Sequence, residues 1–279
     1  MQKYPRPIVH PPRNGLPVLL SVPHSGREYD PAVLANAAQG RRSLETLEDP
    51  LVDRLVWRAV SAGFGAVIQP VPRAVIDCNR DEEEVDPAAI LDISAAPVGP
   101  RARYGLGLVP SRTHRHGALW RRPISREDLQ GRIDDVHRPF HEALADQLSK
   151  LAVLHGEALL IDCHSMPRSA HAQAEVVIGD RHGTSSSGWI SDAAARVARA
   201  SGFRVELNIP YAGGAIVSRH GRPHDGIHAL QLEIDRPSYL EADSRTPGKG
   251  FDRLAKLIED LAAQLGQAMC DRAIAIAAE

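Results

Sequence analysis

Apolar residues follow two rhythms along this chain. Short, nearly unbroken apolar runs occur at 17–22 (PVLLSV), 66–69, 74–78, 158–163 (ALLIDC), 174–179, 202–207 and 229–234 (ALQLEI). Runs of this length and composition predict strands buried on both faces. Between them the apolar spacing turns helical. Leu51, Val52, Leu55, Val56, Ala59 and Val60 recur with a helical period up to Gly63, Pro50 suits the first helical position, and Asp49 suits its N-cap. Ser125 opens the longest helical pattern, with Glu127 and Asp128 in its first turn; it runs to about His155, and Pro139 should bend it. Further helices are predicted over 191–201 and from Phe251 to about Ile274. Four prolines before Gly15 predict an extended arm.

Strands alternating with helices define an α/β fold: three layers, with a mixed, mostly parallel central sheet flanked by helices. The chain reads as one domain over 1–279. Residues 80–120, rich in Pro, Gly and Arg, read as an inserted loop or hairpin region, and long loops of this kind are often functional. No internal repeat or low-complexity linker stands out.

Composition narrows the classes. The chain has 279 residues, 43% hydrophobic and 24% charged, enough to bury a sizeable core. A formal charge of −2 gives no bias toward nucleic acid or membrane. No apolar run reaches the roughly 18 residues of a membrane span, and MQKYPRPIVHPPRNG has no apolar core of a secretory signal. Three scattered cysteines, Cys78, Cys163 and Cys270, suit free thiols rather than a disulfide framework. A cytoplasmic protein is expected. Its oligomeric state is left open.

Thirteen histidines call for a cause. Ligand sites of open α/β sheets form beyond the carboxyl ends of the strands, and polar residues mark three such ends. His24 follows PVLLSVP, His164 follows ALLIDC, and Glu233 lies in ALQLEI. With Asp49, the set comprises two imidazoles and two carboxylates. A hydrolytic zinc site takes three ligands from His, Asp and Glu, one open position for water, and a nearby base. Read singly, Asp49 is also a plain N-cap, and Glu233 could pair with Arg236. Asn79 and Arg80, with Arg73 upstream, offer donors suited to an α-carboxylate; Arg80 could equally pair with the acidic run 81–84. In Asn208–Gly214 (NIPYAGG), Gly213 and Gly214 allow a sharp turn and close approach to a ligand, and Tyr211 could donate to a substrate oxygen. No Gly-x-Gly-x-x-Gly, P-loop, Gly-x-Ser-x-Gly or His-Glu-x-x-His motif is present.

At these residues the chain resembles the N-formylglutamate amidohydrolase family, relatives of the zinc carboxypeptidases. The matching elements are VPHSG (22–26), EDPLVDRL (48–55), RAVIDCNR (73–80), LIDCHS (160–165), NIPYAGG (208–214) and ALQLEIDR (229–236). They occur in the family's order across nearly the whole chain. The resemblance implies a mixed eight-stranded sheet and a small N-acyl amino acid substrate, with N-formyl-L-glutamate cleaved to formate and glutamate. It implies Zn2+ held by His24, His164 and an acidic residue of EDPLVDRL. Glu28 lies four residues after His24 rather than the carboxypeptidase three, so Asp49 is chosen, with Asp53 as the alternative. Glu233 becomes the general base and Asn79 with Arg80 the holders of the α-carboxylate. Arg73 or Tyr211 then stabilises the developing oxyanion. The alternatives are a hydrolase of another N-acyl amino acid or small peptide on the same scaffold, and a non-catalytic protein that binds a metal or a carboxylate.

Overall fold

The computed structural model describes residues 3–93, 99–168 and 174–277. In chain order the elements are β1 (Ile8–His10), β2 (Val18–Val22), α1 (Pro31–Asn36), α2 (Arg41–Glu45), α3 (Val52–Leu55), α4 (Trp57–Ser61), β3 (Gly65–Ile68) and α5 (Pro100–Arg103). They continue with β4 (Arg112–Thr113), β5 (Gly117–Ala118), α6 (Arg126–Arg132), a π-helical turn (Ile133–His137), α7 (Arg138–His155), β6 (Ala158–Met166) and β7 (Val176–Gly179). The last are α8 (Gly188–Ala200), β8 (Val205–Leu207), α9 (Ala215–His220), β9 (Ile227–Asp235) and α10 (Phe251–Ala277). These elements fall into two compact units. The first comprises Met1–Pro7, Pro23–Glu48 and Gln69–Glu142; the second comprises Ile8–Val22, Asp49–Ile68 and Ala143–Glu279.

The second unit carries the sheet. Its order is β1-β3-β2-β6-β9-β7-β8. β3, β2, β6 and β9 run parallel, β7 is antiparallel to β9, β8 is parallel to β7, and β1 closes the other edge antiparallel to β3. The sheet is mixed and mostly parallel, as the apolar runs predict. Among the described residues it has seven strands, not the eight that the resemblance implies.

Side chains alternate between faces along a strand, and the register sorts them sharply. One face presents Val18, Leu20, Val22, Leu159, Ile161, Cys163, Leu230, Leu232, Ile234, Val176 and Ile178. These form one buried core with residues of α3, α4, α8 and α10. Truncating one of these, Ile161 for instance, to Ala would cost about 3 kcal/mol. The opposite face carries Ser21, Asp162, His164, Gln231, Glu233 and Asp235, all buried. α9 packs against β6 and β9, and the Gly214 amide that precedes it reaches Gln231 on that polar face. A row of polar groups shut into a sheet face is costly unless it is paired or used.

The first unit is built from short helices, turns and the β4–β5 ribbon. Apolar residues spread along it, among them Leu44, Val75, Ile76, Ala89, Leu108, Leu119, Val136 and Phe140, are buried.

Several elements differ from expectation. Residues 74–78 form turns rather than a strand. Val75 and Asp77 donate their amides to Pro72 O and Leu108 O, and the Asp77 carboxylate accepts from the Asn79 amide, so local bonds replace a ladder. The segment is apolar because it is buried. Asp49 is not an N-cap: Leu51 takes a left-handed conformation (φ 61°) and the helix begins at Val52. The predicted 51–63 helix is divided into α3 and α4. Part of the arm pairs as β1. β6 extends to Met166, so His164 and Ser165 lie inside the strand because β9 pairs with it along its whole length. The long helix is interrupted by the π-helical turn immediately before Pro139.

Candidate metal and amidohydrolase site

Two histidines share one construction. In the second unit, His164 sits on β6 two positions after Asp162, on the same face. The strand continues through both residues, so the two side chains project the same way. His164 Nε2 lies 2.7 Å from Asp162 Oδ2. His164 Nδ1 lies 3.1 Å from Asp49 Oδ2. Burial opposes charging of this imidazole, and Asp162, the Asp49 hydrogen bond and the nearby Glu233 override it, so its pKa is raised well above the ordinary histidine value. Both aspartates are buried.

In the first unit, His24 Nε2 lies 2.7 Å from Asp77 Oδ1. Asp77 is buried, which disfavours its charge. Arg73, Arg80 and His24 more than offset this and hold its carboxyl well below the usual range. Arg73 Nε donates to Asp77 Oδ2 at 2.8 Å, and Arg80 Nε lies 3.7 Å from the same oxygen. His24 precedes Gly26, where a side chain is impossible: a Cβ there would lie 2.4 Å from Pro70 O.

Ligand-capable atoms of His24, Asp49 and His164, one from each, all lie within 4.8 Å of one another, and all three residues are buried. A buried His/Asp/His group of this kind could hold a metal ion. Asp53, the alternative acidic residue, sits in the first turn of α3 and is outside this group.

Asp49 is braced from two sides. Ser165 Oγ donates to its Oδ1 at 3.0 Å, and Arg236 Nη2 reaches the same oxygen at 3.3 Å. Arg236 Nε also donates to Ser165 Oγ at 3.0 Å. His164 and Ser165 are adjacent on β6, and Asp49 bonds to both, one through each carboxylate oxygen. The preceding turn is pinned by the Tyr239 hydroxyl, which donates to Pro50 O at 2.7 Å.

Glu233 is directly paired with His164 in the β6–β9 register, so the two side chains stand side by side. Gln231 holds it. Gly214 N–H can only donate, so it fixes Gln231 Oε1 as acceptor at 2.8 Å; the Gln231 amide nitrogen then donates to Glu233 Oε1 at 2.8 Å. Tyr211 packs against Met166, Ala174 and Val177, and Val177 is the cross-strand partner of Glu233 on its other side. Gly213 adopts a φ of 124°, which an L side chain rarely takes.

Arg80 is buried, and two of its nitrogens are engaged by backbone carbonyls. Its Nε donates to Leu106 O at 2.7 Å and its Nη1 to Asn79 O at 2.6 Å. Burial lowers its pKa, with Asp77 acting in the opposite direction. Sequence reasoning missed Asp77, Gln231, Ser165 and Arg236 as supports. Alternation of faces makes two pairs readable, Asp162 with His164 on β6 and Gln231 with Glu233 on β9. Asp77, Ser165 and Arg236 meet His24 and Asp49 from elsewhere in the fold.

A mixed, mostly parallel sheet whose one face carries a carboxylate-backed imidazole beside a braced glutamate defines an α/β protein with a metal-capable polar centre. Comparison with known proteins carries this further. Residues 16–240 match the family model described as N-formylglutamate amidohydrolase, and the chain belongs to that family. It is an amidohydrolase similar to N-formylglutamate deformylase of Pseudomonas aeruginosa, 28% identical over 237 residues (82% of this chain, 84% of the relative). The enzyme of the same name from Pseudomonas putida is 29% identical over 234 residues, covering 81% and 82% of the two chains. The crystal structure of N-formylglutamate amidohydrolase from Ralstonia eutropha JMP134 superposes with a TM-score of 0.86 at 29% identity, covering 95% of this chain and 98% of that one. A gene product of Agrobacterium tumefaciens shares the fold at 17% identity, with a TM-score of 0.65 and 95% and 96% coverage.

Proposed function

We propose that the chain hydrolyses the amide of N-formyl-L-glutamate to formate and L-glutamate, using one zinc ion held by His24, Asp49 and His164. The observation that carries this reading is the buried His/Asp/His group, in which each imidazole has a carboxylate behind its Nε2. A neutral imidazole with Nε2–H donated to Asp77 or Asp162 presents the lone pair of Nδ1, and carboxylate-backed histidines are the usual partners of a bound cation. Two nitrogens and one carboxylate are the donor set of hydrolytic zinc. When bound, such a cation makes water more acidic and polarises a carbonyl.

The chain's own residues do the rest. Glu233 accepts a proton from the attacking water and passes it to the leaving amine nitrogen. Gln231 occupies Glu233 Oε1 and thereby keeps the carboxylate oriented. Arg73, tethered through Nε to Asp77, or Tyr211 donates to the oxyanion as the tetrahedral centre forms. Asn79 and Arg80 hold the substrate α-carboxylate, and the turn at Gly213 and Gly214 lets the backbone approach the substrate closely. The names of the Pseudomonas relatives support the choice of the formyl group and of glutamate. Three free thiols support a reducing, cytoplasmic setting.

The test is a panel of N-acyl amino acids assayed for release of acid and free amine. N-formyl-L-glutamate should have the highest kcat/KM. If it is not hydrolysed while another acyl amino acid is, the substrate assignment fails.

A further inference from the structure

The loop that carries Asn79 and Arg80 has no regular secondary structure, yet it is buried. Its two flanking carbonyls are gripped by two histidines of one helical run. His141 Nε2 lies 2.9 Å from Cys78 O, and His137 Nε2 lies 2.9 Å from Arg80 O. A carbonyl oxygen can only accept, so both Nε2 atoms carry hydrogen. The histidines are 0% and 2% exposed, and their rings lie 4.5 Å apart between centroids. They are spaced four residues apart and therefore share one helix face.

The helix is locally altered to deliver them. His137 ends the π-helical turn, whose Arg138 N–H reaches back to Ile133 O, and His141 lies in the following α-helical turn. Single π-turns inside α-helices are frequent at functional sites because the extra residue re-aims side chains. Here the re-aimed pair meets Cys78 O and Arg80 O, the carbonyls on either side of Asn79.

We infer that His137 and His141 are positioning residues: by holding the carbonyls of Cys78 and Arg80 they fix Asn79 and Arg80 for binding of the substrate α-carboxylate. The inference rests on the proposed role of Asn79 and Arg80 and extends it to two residues that touch no substrate. Their effect should fall on recognition of one group of the substrate and leave the chemical step alone. A misplaced carboxylate clamp raises KM with kcat little changed.

The experiment compares N-formyl-L-glutamate with its α-carboxamide analogue, using the metal-loaded enzyme. His141→Leu and His137→Leu should each raise KM for N-formyl-L-glutamate about tenfold, keep kcat within about twofold, and leave KM for the carboxamide unchanged. His141→Gln, which keeps an N–H donor of similar reach, should restore most of the lost affinity. If a leucine variant fails to fold, His141→Asn replaces it: the side chain stays polar but is too short to reach Cys78 O, and it should show the same KM rise. Unchanged KM in the folded variants, or equal losses on both substrates, would overturn the inference. Arg80→Ala separates the two claims. A KM defect in Arg80→Ala without one in the histidine variants overturns the positioning role alone; no defect in Arg80→Ala overturns the carboxylate role on which it rests.

Discussion

His24 and His164 are the same device built in two ways. Behind His164 stands Asp162, two positions earlier on one strand, so the pairing follows from strand geometry alone. Behind His24 stands Asp77, which is 53 residues away in a buried turn. Asp162 needs only the strand to aim it. Asp77 needs Arg73 and Arg80 to stay charged in a buried position, and the amide of Asn79 to orient it. The local version is cheap and readable. The long-range version ties the histidine to the segment proposed to bind substrate, so one carboxylate serves both a proposed metal ligand and two arginines.

The largest expected effect lies at neither histidine. Glu233→Gln should lower kcat by about a thousandfold while bound metal is retained. A near wild-type rate with full metal would remove Glu233 as the base. The next effect separates the two backings. Asp77→Asn and Asp162→Asn should each weaken metal binding by about ten- to a hundredfold, measured by competition with a chelator. Their folding costs should differ. Asp77→Asn leaves Arg73 and Arg80 without their shared carboxylate and should cost about 3 kcal/mol, whereas Asp162→Asn keeps an acceptor for His164 Nε2 and leaves the Asp49 carboxylate on Nδ1, and should cost about 1 kcal/mol. Equal losses in urea denaturation of the metal-free proteins would show that the arginines do not make the difference.

A further effect is in acid and belongs to α9, which packs on the polar face of the sheet. His220 on α9 is buried, and burial together with Arg219 lowers its pKa to about 4, against a weaker pull from Asp162. Below the ordinary value of about 6.5 the unfolded chain takes up a proton that folded His220 refuses, so stability falls as pH drops through the window between 6.5 and 4. The loss between pH 7 and pH 5 should be about 2 kcal/mol in the metal-free protein, and His220→Gln should remove it. An unchanged pH slope in that variant would assign the acid sensitivity elsewhere.

Much of this was legible in the chain itself. The strands with continuous apolar runs, β2, β6 and β9, stand where their patterns put them, because burial on both faces leaves no other sequence. The segment 74–78 misled for the same reason: it is equally buried, but its backbone bonds are made by turns and by Asp77. Asp49 carried the composition of an N-cap, Asp-Pro before an apolar helix. Its carboxylate instead meets His164, Ser165 and Arg236, partners more than a hundred residues distant that no local pattern encodes. His137 and His141 were hidden inside a helical pattern whose π-turn leaves the spacing of apolar residues almost unchanged.

The most direct test of the account is the metal itself. The protein stripped with a chelator should lose activity on N-formyl-L-glutamate and regain it with one equivalent of zinc, and His24→Ala and His164→Ala should each fail to regain it at that stoichiometry. Full activity in protein shown by elemental analysis to hold no metal would contradict the central claim.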